Sequence, residues 1–380
     1  MEQIVNHNSV VLISAVDDKI DSVRTRTLDI SFNELLNMHN EKELIIAPDY
    51  QRLFRWSEGK QSRLIESLIL EMPIPPIFVI ELDEGRYELI DGLQRISSYL
   101  HFRGSLPSRS DDGQEQGFLI LTDCDVASEL NGLTYNDLPS ALQIKLKRSF
   151  VRVEVIRKES DRRLRYYMFK RLNTGGEILS EQEIRNCTIR LLDDKFNNFL
   201  ISLSSDANFS KCISSLSEDK LNRKYDQELV LRFFAFKNWR DNYKHDVGDF
   251  LSDYMEAVSD PTHTQEPFDY GVEEPIFRNT FQVLVRALDD HAFSRTNQNR
   301  NFVSGFIVYH YEAFTLGIQK HLDRLDPNDD QLMAKVRDVL IGVKSNPEFR
   351  NETTGGGKNY PNRLAARIQF VEDAVDTLWT

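Results

Sequence analysis

Three cysteines, Cys124, Cys187 and Cys212, are scattered over 380 residues. That is too few and too dispersed for a disulfide framework or a zinc knuckle, and thiols so placed are expected to stay reduced. Long apolar runs are lacking too: none approaches the ~20 residues of a membrane span, and Met1 to Ile30 has no basic-then-apolar signal order. A cytoplasmic location is the expectation. Excess positive charge is also missing. The net charge of −13 excludes a surface built all round to coat nucleic acid, though not a local basic face. Eight histidines show no metal-ligand spacing, and the chain has no Gly-x-Ser-x-Gly elbow and no nuclease carboxylate cluster. Gly355-Gly-Gly-Lys358 lacks the leading Gly and the following Ser/Thr of a P-loop. Internal repeats and low-complexity tracts are absent.

What remains is a soluble globular composition, 40% hydrophobic and 28% charged, with length enough for two cores. Strand-like and helical stretches mix in the first half. From Asp193 onward the periodicity is helical only, in segments near 226–239, 247–258, 272–289, 303–321, 329–342 and 361–378. Two domains are expected, 1–200 and 201–380, giving an α+β class with an α-helical C-terminal domain.

The chain is organised around Gly85 to Phe102. The apolar run Ile77-Phe-Val-Ile-Glu-Leu82 and the turn Asp83-Glu84-Gly85 predict a hairpin ending near Ile90. The period then changes: Ile96, Tyr99 and Leu100 recur at helical spacing, so a helix is expected from about Leu93. Gly92 permits the turn between them, and Asp91 is placed to cap the helix. Gln94 and Arg95 fall in the first turn, beside unpaired N–H groups. A cation there opposes the helix dipole, and an anion such as a phosphate would explain it. The same residues also read as an ordinary Asp cap with a surface arginine.

Asp91-Gly92-Leu93-Gln94-Arg95 resembles the Asp-Gly-Gln-Gln-Arg motif of the ParB/sulfiredoxin-like domain at the N-terminus of GmrSD-type restriction proteins. Two more blocks agree in order and spacing. Pro48-Asp-Tyr-Gln-Arg-Leu-Phe-Arg-Trp56 resembles that family's Pro-x-Tyr-Gln-Arg-x-Tyr/Phe-x-Trp. Phe169-Lys-Arg-Leu-Asn-Thr-Gly-Gly176 with Leu179-Ser-Glu-Gln-Glu-Ile-Arg-Asn186 resembles its Asn-Thr-Gly-Gly and Glu-Ile-Arg-Asn block. Family members continue with a helical segment like Leu229 to Met255. Leu93 departs from the motif, where the family has Gln.

The resemblance implies a ParB/sulfiredoxin-like domain that binds and hydrolyses a nucleoside triphosphate with Mg²⁺, in a bacterial restriction or anti-phage system. Asp91, Gln94 and Arg95 are the catalytic candidates, with Asp91 also the metal candidate. Gly92, Gln51, Arg52, Asn173 and Thr174 are the nucleotide-binding candidates. Read locally, Gln51 and Arg52 between aromatics also fit plain packing, and Asn173 fits a simple loop. Arg185 fits a structural role equally well. Lys145 to Arg171 carries eleven cations against Glu154, Glu159 and Asp161. It is a candidate DNA-binding face, with Arg162, Arg163 and Arg165 at its centre, or else a solvated surface. The alternative function is a non-catalytic nucleotide- or DNA-binding module that recruits a separately encoded nuclease. Partners to consider are DNA, such a nuclease or another defence subunit, and a second copy of the chain.

Overall fold

The computed structural model describes residues 12–13, 16–17, 24–46, 54, 56–106, 118–173, 180–260, 262, 267–303 and 305–379. The chain forms two compact units, Met1–Glu177 and Ile178–Thr380. The first is mixed and the second helical, so the class is α+β.

In the first unit five strands are described: β1 (Thr25–Ser31), β2 (Leu44–Ile45), β3 (Ile77–Glu81), β4 (Tyr87–Asp91) and β5 (Phe150–Ile156). They form one sheet in the order β1-β5-β3-β4-β2. β1 runs antiparallel to β5, and β3 runs parallel to β5 and antiparallel to β4. Period-2 alternation sets the faces. Along β5, Val151, Val153 and Val155 are buried, whereas Phe150 and Arg152 are exposed. The helices α1 (Phe32–Asn40), α2 (Glu58–Ile69), α3 (Leu93–Phe102) and α4 (Ser140–Arg148) pack against one another, and α5 (Arg162–Asn173) packs against β4.

Local caps fix the helix starts. The Ser31 hydroxyl accepts from the Glu34 N–H, the Ser57 hydroxyl from Lys60 and the Asp161 carboxylate from Leu164, as short polar residues before a helix do. The β3–β4 hairpin turns at Asp83–Gly85, with positive φ at Glu84 and Gly85. The apolar run Phe118-Leu-Ile-Leu121 is a strand candidate by sequence, and its side chains alternate exposed and buried. It forms no strand: Leu121 exchanges both backbone bonds with the nearby Leu133 and Gly132 instead.

The second unit opens on α6 (Glu181–Thr188), which a complete capping box starts. Ser180 N–H donates to Glu183, and Glu183 N–H donates to the Ser180 hydroxyl. Then follow α7 (Lys195–Ser204), α8 (Ala207–Cys212), α9 (Glu218–Asn222), α10 (Tyr225–Asn238), α11 (Val247–Ser259), α12 (Tyr270–Leu288), α13 (Val308–Gly317), α14 (Asp330–Ser345), α15 (Pro347–Thr353) and α16 (Pro361–Asp376). α10 is buried almost all round from Leu229 to Phe236, which marks it as the central helix. Its one charge in that run, Arg232, bonds Glu312 and Glu228. The region is not purely helical: Arg295–Thr296 and Phe302–Val303 pair as β6 and β7 across the Asn297–Asn301 turn. Among the described residues, no helix is long and apolar enough to cross a membrane.

Candidate functional site

Asp91 ends β4 at a register break. Phe78 pairs with Asp91, but Val79 pairs with Leu89, so Ile90 is an extra residue. Such a bulge bends the strand and re-aims the next side chain. Gly92 follows at φ 105, a region that side chains resist. A Cβ there would also lie 2.8 Å from Ile77 Cγ1. Glycine is required on both counts.

α3 then begins at Leu93. Its first intrahelical donor is Ile96 N–H, to the Gly92 carbonyl at 3.0 Å. Gly92 occupies the cap position and offers no side chain. Asp91 therefore does not cap the helix, contrary to the expectation. The bulge and the positive φ turn its carboxylate to Arg95 instead, and Oδ2 accepts from Arg95 Nη2 at 2.8 Å. The same Nη2 donates to the Pro76 carbonyl at 3.1 Å. Arg95 is largely buried and Asp91 about one third exposed, so this charge-assisted bond is stronger than a surface pair.

Gln94 meets the end of the first motif block. Trp56 N–H donates to Gln94 Oε1 at 3.1 Å. From the other side, Gln61 Nε2 of α2 donates to the Trp56 carbonyl at 2.8 Å, and its Oε1 lies 2.8 Å from His101 Nδ1. Gln61 and His101 were not among the sequence candidates. A signal for Gln61 exists: it lies three, four and seven residues before Leu64, Ile65 and Leu68, on the buried stripe of α2. Leu93, by contrast, is 2% exposed and packs on the stripe of Ile96 and Leu100.

Gln51, Arg52 and Thr174, and the side chains of Arg162, Arg163 and Asn173, lie outside the described residues. Asn173 is the last residue of α5. Arg165 is half-buried on α5. In the basic run, acids from neighbouring elements pair with several cations. Lys145 lies 3.3 Å from Glu71, Arg152 3.8 Å from Asp29, Arg157 3.5 Å from Glu81 and Lys158 3.1 Å from Asp83.

Arg185 of α6 is 3% exposed. It donates to Ser252 through Nε, to Gln182 and Glu228 through Nη1, and to Glu181 and the Gly248 carbonyl through Nη2. These bonds use all five guanidinium donors. Asn186 Nδ2 donates to Gln227 at 2.6 Å. The Glu-Ile-Arg-Asn block thus fastens α6 to α10 and α11.

Residues 32–190 match the family model of the GmrSD restriction endonuclease, N-terminal domain. Over that stretch the chain is similar to a GmrSD N-terminal domain. The match includes β2 to β5, the Asp91–Arg95 motif and α6, and ends before α7. The helical segment around Leu229 to Met255 lies beyond it. No curated protein and no solved structure matches the chain.

Proposed function

We propose that this protein is the nucleotide-binding component of a bacterial restriction or anti-phage system, and that a nucleoside triphosphate is bound and hydrolysed at the start of α3. The observation that carries the reading is the Gly92 junction: a helix start without a side-chain cap, spanned by the Asp91–Arg95 pair and with Trp56 bonded to Gln94. The positive end of the helix dipole favours a phosphate there.

In the mechanism, phosphate oxygens compete with Asp91 for the Arg95 guanidinium. Arg95 then compensates phosphate charge, and the released Asp91 carboxylate orients an attacking water. Gln94 Oε1 is engaged by Trp56, so Gln94 addresses the phosphate or the water as a donor, through its amide N–H. Phosphoryl transfer needs chiefly positioning and charge compensation, which these groups supply. Mg²⁺ fits this donor set: it is commonly held by one or two carboxylates with phosphate and water, and Asp91 is such a carboxylate. Among the described residues no cluster of three His, Cys, Asp or Glu could hold a metal alone, so the phosphates would complete the shell. Bound there, Mg²⁺ would neutralise phosphate charge. Gln51, Arg52, Asn173 and Thr174 are the further contacts proposed for the nucleotide. DNA, where bound, is assigned to Arg162, Arg163 and Arg165.

The Asp91–Arg95 bond also favours a second reading, a non-catalytic module that recruits a nuclease, because it occupies the only carboxylate of the motif. A hydrolysis assay with each ribonucleoside triphosphate and Mg²⁺ separates the two. The enzyme reading expects turnover that Asp91→Asn abolishes while binding persists. Tight binding without wild-type turnover favours the module.

A further inference from the structure

We propose that Gln61 and His101 are positioning residues: together they clamp the main chain of Trp56 onto α3 and so hold Gln94 in its ligand-facing orientation. The clamp rests on geometry, and its consequence for affinity rests on the nucleotide reading above.

Trp56 is held by both of its backbone polar groups, each by a glutamine from a different helix. Its N–H donates to Gln94 Oε1 on α3, and its carbonyl accepts from Gln61 Nε2 on α2. Backbone groups leave no ambiguity about the amides. A carbonyl only accepts, so Gln61 must present nitrogen to Trp56 and oxygen to His101, and His101 Nδ1 must carry the hydrogen. By the same logic the Trp56 N–H fixes Gln94 with oxygen inward, which turns its N–H₂ group away from Trp56. The order His101, Gln61, Trp56, Gln94 is therefore a directed chain, each link fixing the next. Ser98 closes it on α3 by donating to the Gln94 carbonyl at 2.6 Å.

Gln61 is 4% exposed and stands on the apolar stripe of α2, where Leu would pack without needing partners. A buried amide is costly unless both ends are bonded. Here both ends are bonded, and what they hold is the end of the Pro48–Trp56 block against the Asp91–Arg95 block. The clamp thereby joins two motif blocks that are more than thirty residues apart in sequence.

Three variants test this. Gln61→Glu keeps the shape and the acceptor for His101, but sets a carboxylate oxygen against the Trp56 carbonyl. Gln94→Glu keeps an acceptor for Trp56 N–H, but loses the ligand-facing donor. His101→Phe removes the anchor of Gln61 and serves if Gln61→Glu fails to fold. The readouts are amide hydrogen exchange of the 54–60 peptide, and calorimetric affinity for ATP, GTP, CTP and UTP with Mg²⁺. Gln61→Glu and His101→Phe are expected to speed exchange and to weaken the best-bound nucleotide about two- to tenfold, the range of one hydrogen bond. Gln94→Glu is expected to weaken binding with exchange unchanged. Unchanged exchange in both Gln61→Glu and His101→Phe overturns the clamp. Faster exchange with undiminished affinity overturns the positioning role. A wild type that binds none of the four nucleotides defeats the nucleotide reading, and exchange alone then decides the clamp.

Discussion

Leu93 stands where the resembling motif has glutamine, and its burial with Ile96 and Leu100 explains how the fold accepts the change. The side chain faces the core, so the ligand contacts proposed for the first turn are those of Gln94 and Arg95. Leu93→Gln is expected to cost roughly 1–3 kcal/mol, because it buries an amide without partners, and to bring no gain in turnover. Urea unfolding run beside the hydrolysis assay checks both. A faster and equally stable variant would contradict this placement. The sequence located the strand end near Ile90 and the helix start near Leu93, because the hydrophobic period changes there. It misassigned the Asp91 carboxylate, because the bulge at Ile90 depends on pairing with β3 and leaves no local trace. Gln61 was readable only as a polar residue on an apolar stripe, and its partner His101 not at all.

Among elements, those with local signatures were legible: the β3–β4 hairpin, the Ser57 cap of α2, the capping box of α6, and most of the long C-terminal helices. What depends on distant pairing was not. β1 lies at the sheet edge beside β5 although more than a hundred residues separate them. β6 and β7 are two residues each, too short for a period to register. The Arg185 network likewise joins α6 to helices far along the chain, so only the structure shows that no guanidinium donor remains for a ligand. Burial creates a testable element in α13. His310 bonds the Ser294 carbonyl through Nδ1 and packs between Phe314 and Phe349. Burial, with the Lys344 charge nearby, pushes its pKa down from 6.5 to about 3. The unfolded chain takes up a proton below pH 6.5, and the folded chain does not until about pH 3. The stability His310 contributes is therefore complete above pH 6.5 and declines as pH falls through that window, by at most about 1.4 kcal/mol per unit. Urea midpoints between pH 7 and 5 should fall less steeply for His310→Phe than for the wild type; parallel slopes would contradict a buried neutral imidazole.

At the scale of the whole molecule, the two-part α+β organisation follows from the shift to uninterrupted helical periodicity. The structural division falls at Glu177/Ile178, because the Arg185 and Asn186 bonds tie α6 to α10 and α11. The acidic balance leaves the run from Lys145 to Arg171 as the proposed DNA face, partly offset by Glu71, Asp29, Glu81 and Asp83. Charge reversal of Arg162, Arg163 and Arg165 to Glu should abolish DNA binding and its steep salt dependence. An unchanged gel-shift titration would move the interface elsewhere. The central claim, that the Gly92 junction receives a triphosphate, is tested most directly by calorimetry of the wild type and Arg95→Ala with each ribonucleoside triphosphate and Mg²⁺, with thermal melting as the check on folding. At least one nucleotide should bind the wild type, and the folded Arg95→Ala should bind it about ten- to a hundredfold more weakly, the ~1.5–3 kcal/mol of a charge-assisted phosphate contact. Equal affinity in the two proteins, or no binding to either, would contradict it.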